Sequence, residues 1–164
     1  MRPFTQEKLK SVGQALLFIL VCQLAGILGA VFTVTGESAW YQNLDKPIFN
    51  PPSWVFAPVW TLLYTLMGIA VYLVWKRGWH RYVVKKALAY FAVQLVLNAL
   101  WTPIFFGAHQ VGLALIVIGL LWVAILATML LFYQRSKLAC WLLLPYLLWV
   151  TFATVLNASI WVLN

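Results

Sequence analysis

Polar and charged residues in this chain fall in short clusters separated by long apolar runs. The stretches 11–36, 47–75, 87–134 and 138–164 contain no Asp, Glu, Lys or Arg. A helix rises about 1.5 Å per residue and the hydrocarbon core of a bilayer is about 30 Å thick, so roughly 20 apolar residues cross it. Three of the runs hold one crossing each. The run 87–134 holds two, broken near Phe106-Gly107-Ala108-His109-Gln110, where Gly107 permits a turn and His109 and Gln110 are polar enough for an interface. The pattern predicts an all-α integral membrane bundle. It forms a single domain, 1–164, of five transmembrane helices at about 13–34, 53–75, 83–106, 111–133 and 139–161, with a long loop at 35–52. The runs are too continuous for the alternating strands of a membrane barrel.

Composition agrees. Of 164 residues, 65% are hydrophobic and 9% charged, with mean hydropathy +0.93. Too few charges exist to coat a soluble globule, for which about a quarter is usual. The net charge of +8 is not a nucleic-acid footprint, because the basic residues flank apolar runs instead of sharing one solvated face. The first run resembles a secretion signal, but it is longer than a typical signal core and no small-x-small cleavage site follows, so it reads as a retained helix.

Charge also orients the chain. With five crossings, the N-terminal tail and the second and fourth loops share one side and carry Arg2, Lys8, Lys10, Lys76, Arg77, Arg81, Lys85, Lys86, Arg135 and Lys137. The other side carries only Lys46. The positive-inside bias predicts a cytoplasmic N-terminus, and an outer C-terminus and long loop.

Conventional chemistry finds little support. Glu7, Glu37 and Asp45, the only acids, lie outside the spans, so no intramembrane carboxylate is available for ion coupling. His80 and His109 fall at loops, Cys22 and Cys140 in separate helices, and no metal site is predicted. Phosphate loops, nucleophile elbows and carboxylate pairs are missing, and no internal repeat is convincing.

The aromatic residues are more informative. Trp40, Tyr41, Trp75, Trp79, Tyr82 and Trp161 fit an interfacial belt. Others lie deeper and align at helical spacing: Trp60 and Tyr64 in the second span; Gln94, Asn98, Trp101 and Phe105 in the third; Tyr146, Trp149 and Ala153 in the fifth. Bare aromatic stripes usually pack helices, but the Gln94 and Asn98 amides should turn inward and find a partner, either helix or ligand. The topology brings Trp60, Trp101 and Trp149 to one level, beneath a loop stiffened by Pro47, Pro51 and Pro52. Such a cavity would suit a flat, apolar ligand with a few polar groups.

The motifs Trp40-Tyr41-x-x-Leu44-x-Lys46-Pro47-x-x-x-Pro51-Pro52, Phe56-x-x-x-Trp60-x-x-Leu63-Tyr64, Asn98-x-x-Trp101-Thr102-Pro103-x-Phe105-Phe106-Gly107 and Pro145-Tyr146-x-x-Trp149 resemble the TspO/MBR family of tryptophan-rich sensory proteins, related to the mitochondrial translocator protein. So does Ala153-Thr154-x-Leu156-Asn157, and the likeness runs from about Trp40 to Asn157. The resemblance implies a five-helix bundle, often a homodimer, in a bacterial cell membrane. It implies no required cofactor and a porphyrin ligand, protoporphyrin IX or haem, with synthetic isoquinoline-carboxamides and benzodiazepines as alternative ligands. It places Tyr41, Pro51, Trp60, Tyr64, Asn98, Trp101, Trp149 and Ala153 at the cavity. Phe105 and Tyr146 join them from the stripes above. The chain departs from animal members in one respect: residues 155–164 contain neither the Tyr nor the Lys or Arg of the proposed cholesterol motif.

Three functions follow as expectations. The first is a receptor or carrier for tetrapyrroles. The second is an enzyme promoting light-dependent oxidative breakdown of protoporphyrin IX, with Trp60 and Trp149 as its reactive residues. The third is a structural or regulatory partner of another membrane protein, with Gly26 and Gly29 allowing close helix approach.

Overall fold

The computed structural model describes the backbone of residues 3–36 and 39–164, and the side chains of 6–31, 33 and 40–164. Arg2 and Glu37, counted in the charge balance above, lie outside the described residues. Seven α-helices form among the described residues: α1 (Pro3–Gly36), α2 (Ala39–Asn43), α3 (Phe56–Trp75), α4 (Tyr82–Thr102), α5 (Val111–Tyr133), α6 (Lys137–Leu142) and α7 (Leu144–Leu163). No strand occurs among the described residues.

Among the described residues, five stretches are long and apolar enough to cross a bilayer: Gln6–Val31, Ser53–Trp75, Tyr82–Gly107, Val111–Tyr133 and Lys137–Leu163. The shortest has 23 residues, or about 34 Å of helix, which exceeds the hydrocarbon thickness. The outer surface is apolar. On α1 alone, Leu16, Leu17, Leu20, Leu24, Ile27 and Leu28 are exposed. A face of this size would drive aggregation in water; against lipid tails it is the ordinary surface of an integral membrane protein.

Small residues let the helices approach. Gly68 of α3 lies so close to α1 that a Cβ there would sit 2.4 Å from the Ile19 Cα, a backbone-to-backbone contact of the kind that holds membrane helices together without a hydrophobic driving force. The Ser11 hydroxyl bonds that of Tyr72 and ties the start of α1 to the end of α3. The α3–α4 and α5–α6 turns meet at this same end, around Arg77, Arg81 and Arg135. At the opposite end the Asn164 side chain accepts from the Asp45 N–H and donates to the Asp45 carbonyl, both at 3.0 Å, and joins the C-terminus to the long loop.

Three elements differ from the hydropathy reading. Helix α1 begins at Pro3, well before the expected 13, because residues that have left the hydrocarbon still continue a helix. The third span is α4 followed by a wider turn at Pro103–Gly107. Pro103 has no N–H, and the Ala108 N–H reaches back to the Pro103 carbonyl (2.9 Å) while Gln110 N reaches Ile104 O (3.1 Å). The fifth span, expected unbroken over 139–161, is interrupted at Leu143 between α6 and α7. Pro145 cannot donate to the Trp141 carbonyl, and the Leu143 N–H turns to Cys140 O at 3.0 Å.

Candidate functional site

The helices and the long loop enclose a cavity of about 760 Å³. Its walls are Gly26 and Ala30 of α1, Trp60 and Tyr64 of α3, Asn98 and Trp101 of α4, and Trp149, Ala153 and Asn157 of α7. Phe105 and Phe106 of the wide turn add to the α4 side. The loop forms the roof, with Tyr41, Lys46, Asn50 and Pro51 facing inward.

Aromatic contacts dock this roof. Tyr41 meets Phe105 (6.2 Å) and Phe106 (5.3 Å) edge-on, Phe49 meets Phe152 (6.3 Å), and Phe56 meets Trp149 (5.9 Å). Trp40 stacks on His109 at 4.1 Å. His109 adopts φ 57°, a left-handed conformation that closes the turn after the third span. The Tyr41 hydroxyl donates to Asn50 Oδ1 at 3.3 Å across the loop.

The floor is a hydrogen-bonded triad. The Tyr64 hydroxyl donates to Asn98 Oδ1 (2.5 Å), and Asn98 Nδ2 donates to the Tyr146 hydroxyl (3.1 Å). One amide thus links α3, α4 and α7. A second link lies higher: Trp101 Nε1 donates to Asn157 Oδ1 (3.1 Å), whose Nδ2 donates to the Val111 carbonyl (3.0 Å). Both asparagines are therefore satisfied by the protein, as hydrocarbon requires.

Of the residues expected at the site, Tyr41, Pro51, Trp60, Tyr64, Asn98, Trp101, Phe105, Trp149 and Ala153 line the cavity and Tyr146 does not. Tyr146 is fully buried behind the wall, where it holds Asn98 and packs edge-on against Trp60 at 6.3 Å. Its place is structural because its hydroxyl points along the triad.

Several wall residues escaped the sequence reading. Helix α1 supplies one whole side. Gly26 and Gly29 do allow a close approach, but it is internal: a Cβ on Gly26 would sit 2.3 Å from the Tyr64 ring, and one on Gly29 would sit 3.3 Å from the Thr102 hydroxyl. Among the described residues, Lys46 is the only charged side chain on the wall. Its Nζ lies 4.7 Å from the centre of the Tyr41 ring and donates to the Gln42 carbonyl at 3.2 Å. Its place as the one basic residue assigned to that side was the signal available.

Gln94 stands apart. It is 1% exposed, one turn below Asn98, and neither its Oε1 nor its Nε2 has a hydrogen-bond partner. A buried unpaired amide costs about 1–3 kcal/mol. Gln94→Met keeps the volume and removes the amide, so it should stabilise the protein by about 1 kcal/mol. Chemical denaturation in detergent measures this, and a clear loss of stability would mean that the amide has a partner.

Residues 18–162 match the TspO/MBR family. The chain is 45% identical over 148 residues to the tryptophan-rich protein TspO of Chlorobaculum tepidum, covering 90% of this chain and 94% of that one. It is 45% identical over 146 residues to the human translocator protein, covering 88% and 86%. It is 40% identical over 147 residues to protein CrtK of Rhodobacter capsulatus, covering 90% of each. With five apolar spans and this agreement along nearly its whole length, the chain belongs to the TspO/MBR family.

Proposed function

We propose that this protein is a membrane receptor or carrier that binds a porphyrin, such as protoporphyrin IX or haem, in the cavity beneath the loop. The observation that carries the reading is the pairing of flat aromatic walls with a single cation. Trp60, Trp101 and Trp149 border one space in which a planar ring system can stack or lie edge-on. Lys46 stands at the roof, where it can meet a peripheral carboxylate of the ligand. The volume falls within the usual range for small-molecule sites.

Titration of the purified protein with protoporphyrin IX, followed by quenching of tryptophan fluorescence, should saturate. Trp60→Ala and Trp149→Ala should each weaken binding about tenfold. Lys46→Gln should weaken protoporphyrin IX by up to about fivefold and leave its dimethyl ester unaffected, because the ester carries no charge to pair. Quenching that never saturates, or that is unchanged in both tryptophan variants, would contradict the proposal.

One feature favours a second reading, light-dependent oxidation of the bound porphyrin by dioxygen. Trp60 stacks on Tyr64 at 5.4 Å, so an oxidisable residue at the wall has an oxidisable neighbour beside it. Illumination of the complex in air should then yield an absorbing product that Trp60→Phe abolishes. Bleaching at the rate of free porphyrin would dismiss this reading.

A further inference from the structure

A second, smaller cavity of about 200 Å³ lies at the other end of the bundle, and Arg77, Arg81 and Arg135 line it. Two of these follow α3 and one follows α5, so tertiary structure brings the three arginines to one cavity. Like charges lining one small cavity repel, and among the described residues no carboxylate lines it to offset them. Asp45 is bound to Asn164 at the opposite end.

The backbone holds this arrangement. Gly78 has φ 115°, which reverses the chain and lets the Arg81 side chain fold back over it; a Cβ on Gly78 would lie 3.3 Å from Arg81 Cδ and Nε. Arg77 N donates to Val74 O (3.1 Å) and Arg135 N to Phe132 O (2.9 Å), which fixes both stems to helix ends. The adjoining lysines are directed elsewhere: Lys76 Nζ lies 5.2 Å from the Tyr72 ring centre and Lys137 Nζ 5.8 Å from that of Tyr133. Among the described residues the charged side chains that line the cavity are the three arginines, whose forked guanidinium groups suit bidentate contact with phosphate oxygens, and Val84 and Gln134 complete the lining.

Depth identifies the environment. Trp79 and Tyr82, on the same turn as Arg81, are exposed, and such residues mark headgroup level. Leu138 and Trp141, just beyond Arg135, are exposed and apolar, a surface for acyl chains.

We propose that Arg77, Arg81 and Arg135 form a phosphate-binding pocket at the basic end of the bundle, and that its ligand is the headgroup phosphate of an anionic phospholipid in the adjoining leaflet. Basic pockets between membrane helices are suited to such headgroups. The site is separate from the aromatic cavity and does not depend on what that cavity binds.

Native mass spectrometry of the detergent-solubilised protein, titrated with phosphatidylglycerol or phosphatidylcholine, tests this. Phosphatidylglycerol should bind selectively. R77Q/R81Q/R135Q should weaken it on the order of 100-fold. The control K10Q/K85Q/K86Q, which removes the same charge outside the pocket, should retain it. R135Q alone should give a partial loss if the triple variant fails to fold. Inorganic phosphate that binds with the same arginine dependence, while phosphatidylglycerol does not, would keep the phosphate site and reassign its source to soluble phosphate. Equal binding of the two lipids with no arginine-dependent phosphate binding, or an equal loss in the lysine control, would overturn the proposal.

Discussion

Gly68→Ala should destabilise the protein by about 3 kcal/mol, the upper part of the range for overpacked cores. The reason is geometric. The new Cβ would stand 2.4 Å from the Ile19 Cα, 2.7 Å from its N and 2.8 Å from its Cγ1. Two of those atoms are backbone, so no rotamer change relieves the clash, and α1 must move away from α3. The effect should reach the cavity, because α1 forms one wall of it. Gly26→Ala makes a useful contrast. Its Cβ would meet the Tyr64 ring at 2.3 Å, and a ring can tilt where a backbone cannot. That variant should lose less stability but displace Tyr64 from Asn98. Gly119→Ala, where nothing lies within 4 Å, should leave stability unchanged or slightly raised by helix propensity. Denaturation of the three variants in one detergent gives the order. Equal stability of Gly68→Ala and Gly119→Ala would show that the α1–α3 contact is looser than described.

Asn98→Leu should have the second-largest effect, about 1–3 kcal/mol. It removes the bonds to Tyr64 (2.5 Å) and Tyr146 (3.1 Å) together. Interhelical hydrogen bonds in membranes average well below 1 kcal/mol and reach about 1.7, so two of them set the scale. Leaving two buried hydroxyls without their partner adds to the loss. Tyr64→Phe and Tyr146→Phe should each cost less, since each breaks one bond. If the triad acts as a unit, Asn98→Leu will add little to the double phenylalanine variant. Full additivity would show that Asn98 contributes through something other than these two bonds.

The spans were legible because a membrane crossing announces itself by length. Runs such as 138–164 without a charge have no other economical reading. What hydropathy does not count is backbone donors. Pro103 and Pro145 are as apolar as their neighbours, so the wide turn and the break at Leu143 were invisible to it, although both follow from one missing N–H. Helical spacing found the aromatic stripes, but spacing cannot place a residue on a wall or behind it. Tyr146 and Trp149 share a stripe, yet Tyr146 reaches down to Asn98 while Trp149 borders the cavity. Helix α1 was the least legible element. It is apolar nearly all round, and its periodicity does not say which side meets Tyr64. Only Gly26 and Gly29 marked that side, and whether they faced another helix of this chain or a separate protein depended on the fold.

Under the proposed function a flat ligand occupies the space between Trp60, Trp101 and Trp149. The most direct test uses the photochemistry of protoporphyrin IX itself. The complex, formed at one porphyrin per chain, is illuminated briefly in air, and oxidised residues are mapped by peptide mass spectrometry. With the ligand in the cavity, its tryptophans should be oxidised early, while the exposed Trp54, Trp79, Trp141 and Trp161 stay largely intact. Oxidation confined to the exposed tryptophans, with Trp60, Trp101 and Trp149 unmodified, would place the ligand outside the cavity and contradict the claim.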